Sequence, residues 1–232
     1  LYSCIVLQYI YTSVSKICQY YILLSAFLTK LRYEMYTSYT KPNTKDIMVE
    51  KAIELFKERG TEAVSIKDIC DRAAVTRNAF YYHFESKDLL FDSVGDWVSR
   101  ISKERIQMIY EPDSYYQQFW EYYRAYILTE IEMGADIMNR ICFSRTMKGR
   151  ADYYSYIDDK LALQMTALIR RAQEEKIIRN SGSPEDLLWT SYDIVRGVNI
   201  KWCFQWGTSD IISETKRGLD TLFMPSEGHT LK

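Results

Sequence analysis

The sequence predicts an all-helical fold, a small three-helix unit followed by a larger helical bundle. Three observations carry that expectation. From Thr44 to Leu222 apolar residues recur at helical spacing with no run of strand alternation. Helix stops and starts punctuate the pattern at Gly60, Ser65, Pro112, Ser183-Pro184 and Gly207. The composition is that of a globular protein: 232 residues, 47% hydrophobic and 26% charged, with four Pro and nine Gly, which argues against collagen and disorder. Lys and Arg number 30 against 31 Asp and Glu, so the total charge of -1 points to neither nucleic acid nor membrane. Cys4, Cys18, Cys70, Cys142 and Cys203 are odd in number and contain no C-x-x-C, which suits reduced cytosolic thiols better than disulfides or zinc. His83 and His229 are the two histidines and lie far apart, so no metal ion and no cofactor is expected.

Residues 1–43 form an extension. Its first 33 residues carry no acid, and their charges are Lys16, Lys30 and Arg32. The uncharged runs of 15 and 13 residues fall short of the roughly 18 to 20 that a spanning helix needs, and no signal-peptide pattern is present. The first Met is Met35, where composition becomes ordinary, so translation is expected to start there; that removes three positive charges and Glu34 and takes the net charge from -1 to -3. The competing reading is a hydrophobic arm that packs on the body or on a membrane surface. Tyr36 to Asn43 reads as a polar lead-in.

Residues 44–91 read as three helices. Met48, Ala52, Leu55 and Phe56 make one apolar stripe, ended by Gly60. Ser65 and Asp68 can form a capping box for a second helix carrying Ile66, Ile69, Cys70 and Ala73. Thr76 can cap a third that turns Phe80 and Phe84 inward and leaves Arg77, Asn78, Tyr81, Tyr82 and His83 outside. Two short helices joined by a tight turn make a helix-turn-helix. Arg can pair with guanine, Asn with adenine, and Tyr hydroxyls with phosphate. The unit is not a basic patch, with eight basic and nine acidic residues.

The run from Ala52 to Leu90, above all F-Y-Y-H-F-x-S-K-D-L-L from Phe80 to Leu90, resembles the DNA-binding domain of the tetracycline-repressor family of bacterial transcription regulators. The resemblance implies that Ser65 and Lys67 touch the DNA backbone or a nearby base. It implies that Thr76, Arg77 and Asn78 open a recognition helix in the major groove, with Arg77 reading a base, that Tyr81, Tyr82 and His83 lie on phosphates, and that Lys87 holds another. Two positions depart from the family pattern. Ala74 stands where Gly is usual in the tight turn, and Asn78 stands where Gly is frequent, so operator contacts there cannot be copied.

Residues 92–224 continue as helices. Leu90, Val94, Trp97, Val98 and Ile101 make one stripe that ends before Pro112; Phe119, Tyr123, Tyr126 and Ile127 make the next. A segment from Ile137 to Met147 ends near Gly149, and Leu161, Met165, Leu168 and Ala172 mark another helix that stops before Asn180-Ser181-Gly182. Ser183 caps a helix with Pro184 first, whose wide apolar surface has Leu188, Tyr192, Val195, Asn199, Trp202 and Trp206 on one side and Leu187, Ile194 and Val198 beside it. Ile212, Thr215, Leu219 and Leu222 form the last helix, and residues 225–232 a polar tail. By resemblance the last two helices pair with a second copy, which makes Leu188, Tyr192, Val195, Trp202, Ile212, Leu219 and Leu222 candidate dimer-interface residues; the alternative is a core within one subunit. The resemblance also implies an effector pocket, for which Trp97, Tyr122, Tyr123, Tyr126 and Trp202 are candidates, with Glu121 and Glu130 available to a cationic ligand.

The expectation is a homodimeric, cytoplasmic regulator that binds double-stranded DNA at a pseudo-palindromic operator, a repressor released by an unidentified small-molecule effector. No enzyme motif is present: G-x-G-x-x-G, a phosphate loop and G-x-S-x-G are all absent. The alternative is a membrane-associated helical interaction protein that uses the hydrophobic N-terminal segment.

Overall fold

Why the chain turns where it does follows from caps that the computed structural model shows for residues 43–106, 114–147 and 158–231. Among these are nine helices: α1 (Thr44–Arg59), α2 (Ile66–Ala73), α3 (Arg77–His83), α4 (Lys87–Ile106), α5 (Tyr115–Met133), α6 (Ala135–Met147), α7 (Asp159–Glu174), α8 (Pro184–Phe204) and α9 (Ile211–Phe223). Side-chain oxygens cap the starts of α2 (Ser65), α3 (Thr76), α7 (Asp158), α8 (Ser183) and α9 (Asp210), each accepting a backbone N–H that the helix leaves unpaired. No helix of the described residues is long and apolar enough to cross a membrane.

The chain divides into Leu1–Ile47 and Met48–Lys232. In the first unit residues 43–47 are described: Asn43 Oδ1 accepts the Asp46 N–H at 2.9 Å and opens α1. The acid-free segment, the Met35 start and the lead-in up to Pro42 lie outside the described residues, as do Pro112 and Gly149.

In the second unit the expected stripe of α1 is buried, with Met48 and Ala52 fully so, and Phe56 stacks on Phe91 of α4 with centroids 5.0 Å apart. The bundle is knit by aromatic rings. Tyr116 and Phe119 of α5 both meet Phe223 of α9, at 5.3 and 5.1 Å, and Phe119 meets Tyr123 edge to face at 5.3 Å. Such pairs contribute about 0.5–1.5 kcal/mol each beyond area burial. Their polar tips are satisfied: the Tyr116 hydroxyl bonds Asp220 Oδ1 at 2.9 Å and that of Tyr123 bonds Ser191 Oγ at 2.8 Å. The wide apolar surface of α8 meets α6, α7 and α9.

Two expectations change. Leu188, Tyr192, Val195, Trp202 and Leu219 are at most 5% exposed inside this one chain, so they form its core and are unavailable to a second copy; Ile212 and Leu222 are half-buried. A helical stripe announces that a face is buried without saying by what. Trp206 does not continue the α8 stripe: it follows the helix in the left-handed region, at φ 53°, and is 69% exposed. The polar tail is paired at its start, with the Ser226 N–H donating to Ile177 O at 2.8 Å and its hydroxyl to Lys176 O at 2.6 Å.

Candidate nucleic-acid interface

The helix-turn-helix is built from local bonds. Ser65 and Asp68 form the reciprocal capping box that starts α2. At its end Ala74 takes φ 53° and ψ 42°, and the Val75 N–H reaches back to Cys70 O at 3.0 Å. Thr76 Oγ1 then accepts the Ala79 N–H at 3.1 Å and starts α3. Phe80 and Phe84 are buried, their rings 5.2 Å apart, and this anchors α3 from beneath.

The face left outside is the expected one. Thr76, Arg77 and Asn78 are exposed at the start of α3; Tyr81 is 53% and Tyr82 82% exposed, and His83 is half-buried with its ring edge-on to Tyr82 at 4.9 Å. Ionic partners separate the basic residues of α2 and α3. Lys67 Nζ bonds Asp71 at 2.8 Å, and Arg72 grips Glu58 of α1 with a two-pronged contact at 2.9 and 2.8 Å. Arg77 has no ion-pair partner among the described residues, so its guanidinium can meet a ligand without breaking a bond. Ser65 is committed to the capping box, which leaves it and Lys67 at the edge of the surface and already engaged.

Lys87 has a partner inside the fold. Its Nζ donates to Thr61 O at 2.5 Å and sits 5.9 Å from the centroid of the Phe56 ring, half-buried. Burial lowers its pKa, which the charges of Asp88 and Asp136 oppose. In this state Lys87 ties α4 to the loop between α1 and α2.

That loop is held from a second side. Gly60 takes φ 79°, a conformation that strains other residues, and delivers Thr61 to Asp136 of α6. The Thr61 N–H and hydroxyl donate to the two carboxylate oxygens of Asp136, at 2.7 and 2.8 Å. One helical face of α6 repeats the contact: Arg140 pairs with Glu62, and the Ser144 hydroxyl donates to Asp92 Oδ1 of α4 at 2.7 Å. Asp136, Arg140 and Ser144 are four residues apart, so one stripe of α6 grips the helix-turn-helix and α4. These long-range contacts have no signal in the sequence.

The other side of α6 lines a cavity of about 290 Å³ between α4, α5, α6 and α8. Its wall includes Val98 and Ser99 of α4, Met138, Asn139 and Cys142 of α6, and Arg196 and Phe204 of α8. Of the aromatic candidates Tyr126 lines this cavity. Tyr123 and Trp202 are buried in the core, and Trp97 and Tyr122 are half-buried outside the lining. The two acids also separate. Glu121 pairs with Arg124 at 3.1 Å on the surface, whereas Glu130 is fully buried and accepts bonds from Asn199 and Tyr126. Burial pushes its pKa up to about 8 against the opposing charge of Arg196, so near neutral pH it is largely protonated.

Residues 48–94 match the family model described as bacterial regulatory proteins, tetR family. A curated relative named "Probable acrEF/envCD operon repressor", from Escherichia coli K12, is 40% identical over 65 residues, which are 28% of this chain and 29% of that protein. The chain thus matches under a third of that relative's length. Two solved structures share the fold at larger scale. The TetR family transcriptional regulator PfmR from Thermus thermophilus aligns with TM-score 0.53 at 16% identity, over 78% of this chain and 98% of that one. The Thermus thermophilus FadR repressor, in complex with lauroyl-CoA, aligns with TM-score 0.53 at 16% identity, over 77% and 92%.

Proposed function

We propose, from the match of residues 48–94 to the tetR family, that the protein is a sequence-specific DNA-binding transcriptional regulator, a repressor released from its operator by a small molecule. The observation that carries this reading is the outer face of α3: Arg77, Asn78, Tyr81 and Tyr82 exposed on a helix anchored by two buried phenylalanines. Arg77 reads a guanine edge and Asn78 an adjacent base, while the tyrosines and His83 lie on phosphates. The protein acts in the cytoplasm and performs no catalysis.

It works as a homodimer. A glycine inside an exposed helix face costs roughly 1 kcal/mol relative to Ala, and Gly197, midway along α8, has open space around it within the subunit. Close approach by α8 of a second copy gives that glycine a purpose, with half-exposed Trp189 and half-buried Leu222 at the sides. Two recognition helices then fall in major grooves one turn apart, roughly 34–36 Å, and the operator is pseudo-palindromic.

The effector occupies the cavity beside α6. FadR, which shares the fold, is in complex with lauroyl-CoA, and this supports a small-molecule effector here. Because α6 lines the cavity with Met138 and Cys142 and grips Thr61 through Asp136, displacing it moves the helix-turn-helix. Couplings of this kind are about 1–3 kcal/mol. Selection of binding sites from random DNA, read by sequencing, tests the proposal: a pseudo-palindromic consensus is expected, and recovery of unselected sequence would defeat it.

A further inference from the structure

Two cysteines that are not joined in a disulfide meet at the wall of the cavity. Cys142 of α6 lines it and is half-buried, whereas Cys203 of α8 is 1% exposed behind it. The two side chains share a hydrogen bond. Their helices are pinned in register here, since Asn139, one turn before Cys142, donates to the backbone carbonyl of Cys203 at 3.2 Å. The Cys203 S–H donates to Asn199 Oδ1 at 4.0 Å. The bond to Cys142, with burial, keeps Cys203 protonated well above the usual thiol range. The Arg196 guanidinium stands in the same wall and brings a positive charge beside Cys142, the kind of neighbour that activates a thiol. One thiol is accessible from the cavity; its neighbour is sheltered and protonated.

We propose that Cys142 and Cys203 are an oxidisable pair, in which Cys142 reacts with an organic hydroperoxide entering the cavity and Cys203 resolves the product to a Cys142–Cys203 disulfide. The Cys142 thiolate attacks the terminal peroxide oxygen, the O–O bond breaks, and the alcohol leaves with a proton, which gives a sulfenic acid. The Cys203 sulfur then attacks that sulfur, the S–O bond breaks and water leaves, so two thiols are oxidised as one hydroperoxide is reduced. The apolar wall, including Val98 and Phe204, selects a hydroperoxide with a hydrocarbon body. Joining the pair ties α6 to α8, and Asp136 on the opposite stripe of α6 holds Thr61, so the disulfide shifts the helix-turn-helix. This regulatory consequence rests on the DNA-binding reading above; the thiol chemistry does not.

The test treats the full chain with cumene hydroperoxide and maps tryptic peptides by mass spectrometry. The expected product joins residues 141–145 to residues 202–216 with loss of two hydrogens. In Cys203→Ala, Cys142 stops at a sulfenic acid that dimedone traps; in Cys142→Ala, oxidation of Cys203 slows at least about tenfold. Absence of the linked peptide, or Cys203 oxidised in Cys142→Ala as fast as in the unaltered protein, would overturn the site whether or not the protein binds DNA. On DNA selected from random sequence, the linked protein is expected to bind at least about fivefold more weakly until dithiothreitol restores it. Unchanged affinity of the linked protein would overturn the regulatory half.

Discussion

Ala74 holds the turn between α2 and α3 in the left-handed region, where an L side chain costs about 1 kcal/mol that glycine avoids. Ala74→Gly should therefore raise unfolding free energy by about 1 kcal/mol, measured by urea denaturation, with the turn unchanged; a loss of stability would show that the Cβ makes contacts that outweigh its strain. Glu130 makes stability depend on pH. Its carboxyl ionises near 4.5 when exposed and near 8 in the fold, with Arg196, Tyr126, Asn199 and Cys142 around it. Between those values the folded chain keeps a proton that the unfolded chain has lost. The contribution is thus fully present below 4.5 and falls as pH rises to about 8, by at most about 1.4 kcal/mol per pH unit. Glu130→Gln should flatten that fall, since an amide stays neutral, and equal slopes for both proteins would refute the assignment. Arg77 and the inward Phe80 and Phe84 were readable because one short helix and its cap decide them. The bond of Lys87 was not readable, because its acceptor is the backbone oxygen of Thr61, 26 residues away, and a sequence carries no trace of such a partner.

The element scale turns on how helices meet. A Cβ on Gly218 of α9 would lie 2.6 Å from Ile194 Cγ2 of α8. Alanine there gains roughly 1 kcal/mol of helix propensity and meets an overpacking cost of about 1–3 kcal/mol. Clash should win: Gly218→Ala is expected to destabilise, and Ile194→Ala should partly rescue it in a double-mutant cycle. If Gly218→Ala were stabilising, α8 and α9 would have room to separate. Helix positions were legible from apolar spacing and from caps such as Ser65, Thr76 and Ser183. Assignment of each buried face was not. Leu188, Tyr192 and Val195 form the right stripe, yet α6, α7 and α9 of the same chain cover α8. The cavity was legible only at Tyr126, because Cys142, Asn139 and Arg196 become neighbours through packing rather than through any local pattern.

At the scale of the whole molecule, the proposed regulator joins the exposed face of α3, one cavity and one two-sided helix, α6, in each copy of a homodimer. Gly197→Arg places a bulky charge where the subunit itself has room, so the chain should fold normally, run as a monomer in light scattering and bind DNA far more weakly. A dimer that survives the change would move the interface away from α8. The most direct measurement is fluorescence anisotropy of the protein and of Arg77→Ala on the selected consensus and on single-base variants of it, at two salt concentrations. The account predicts that Arg77→Ala loses about 1–3 kcal/mol on the consensus and loses its preference at one base pair in each half-site. An equal loss on every sequence, removable by salt, would mean that Arg77 touches only phosphate and that α3 does not read the bases.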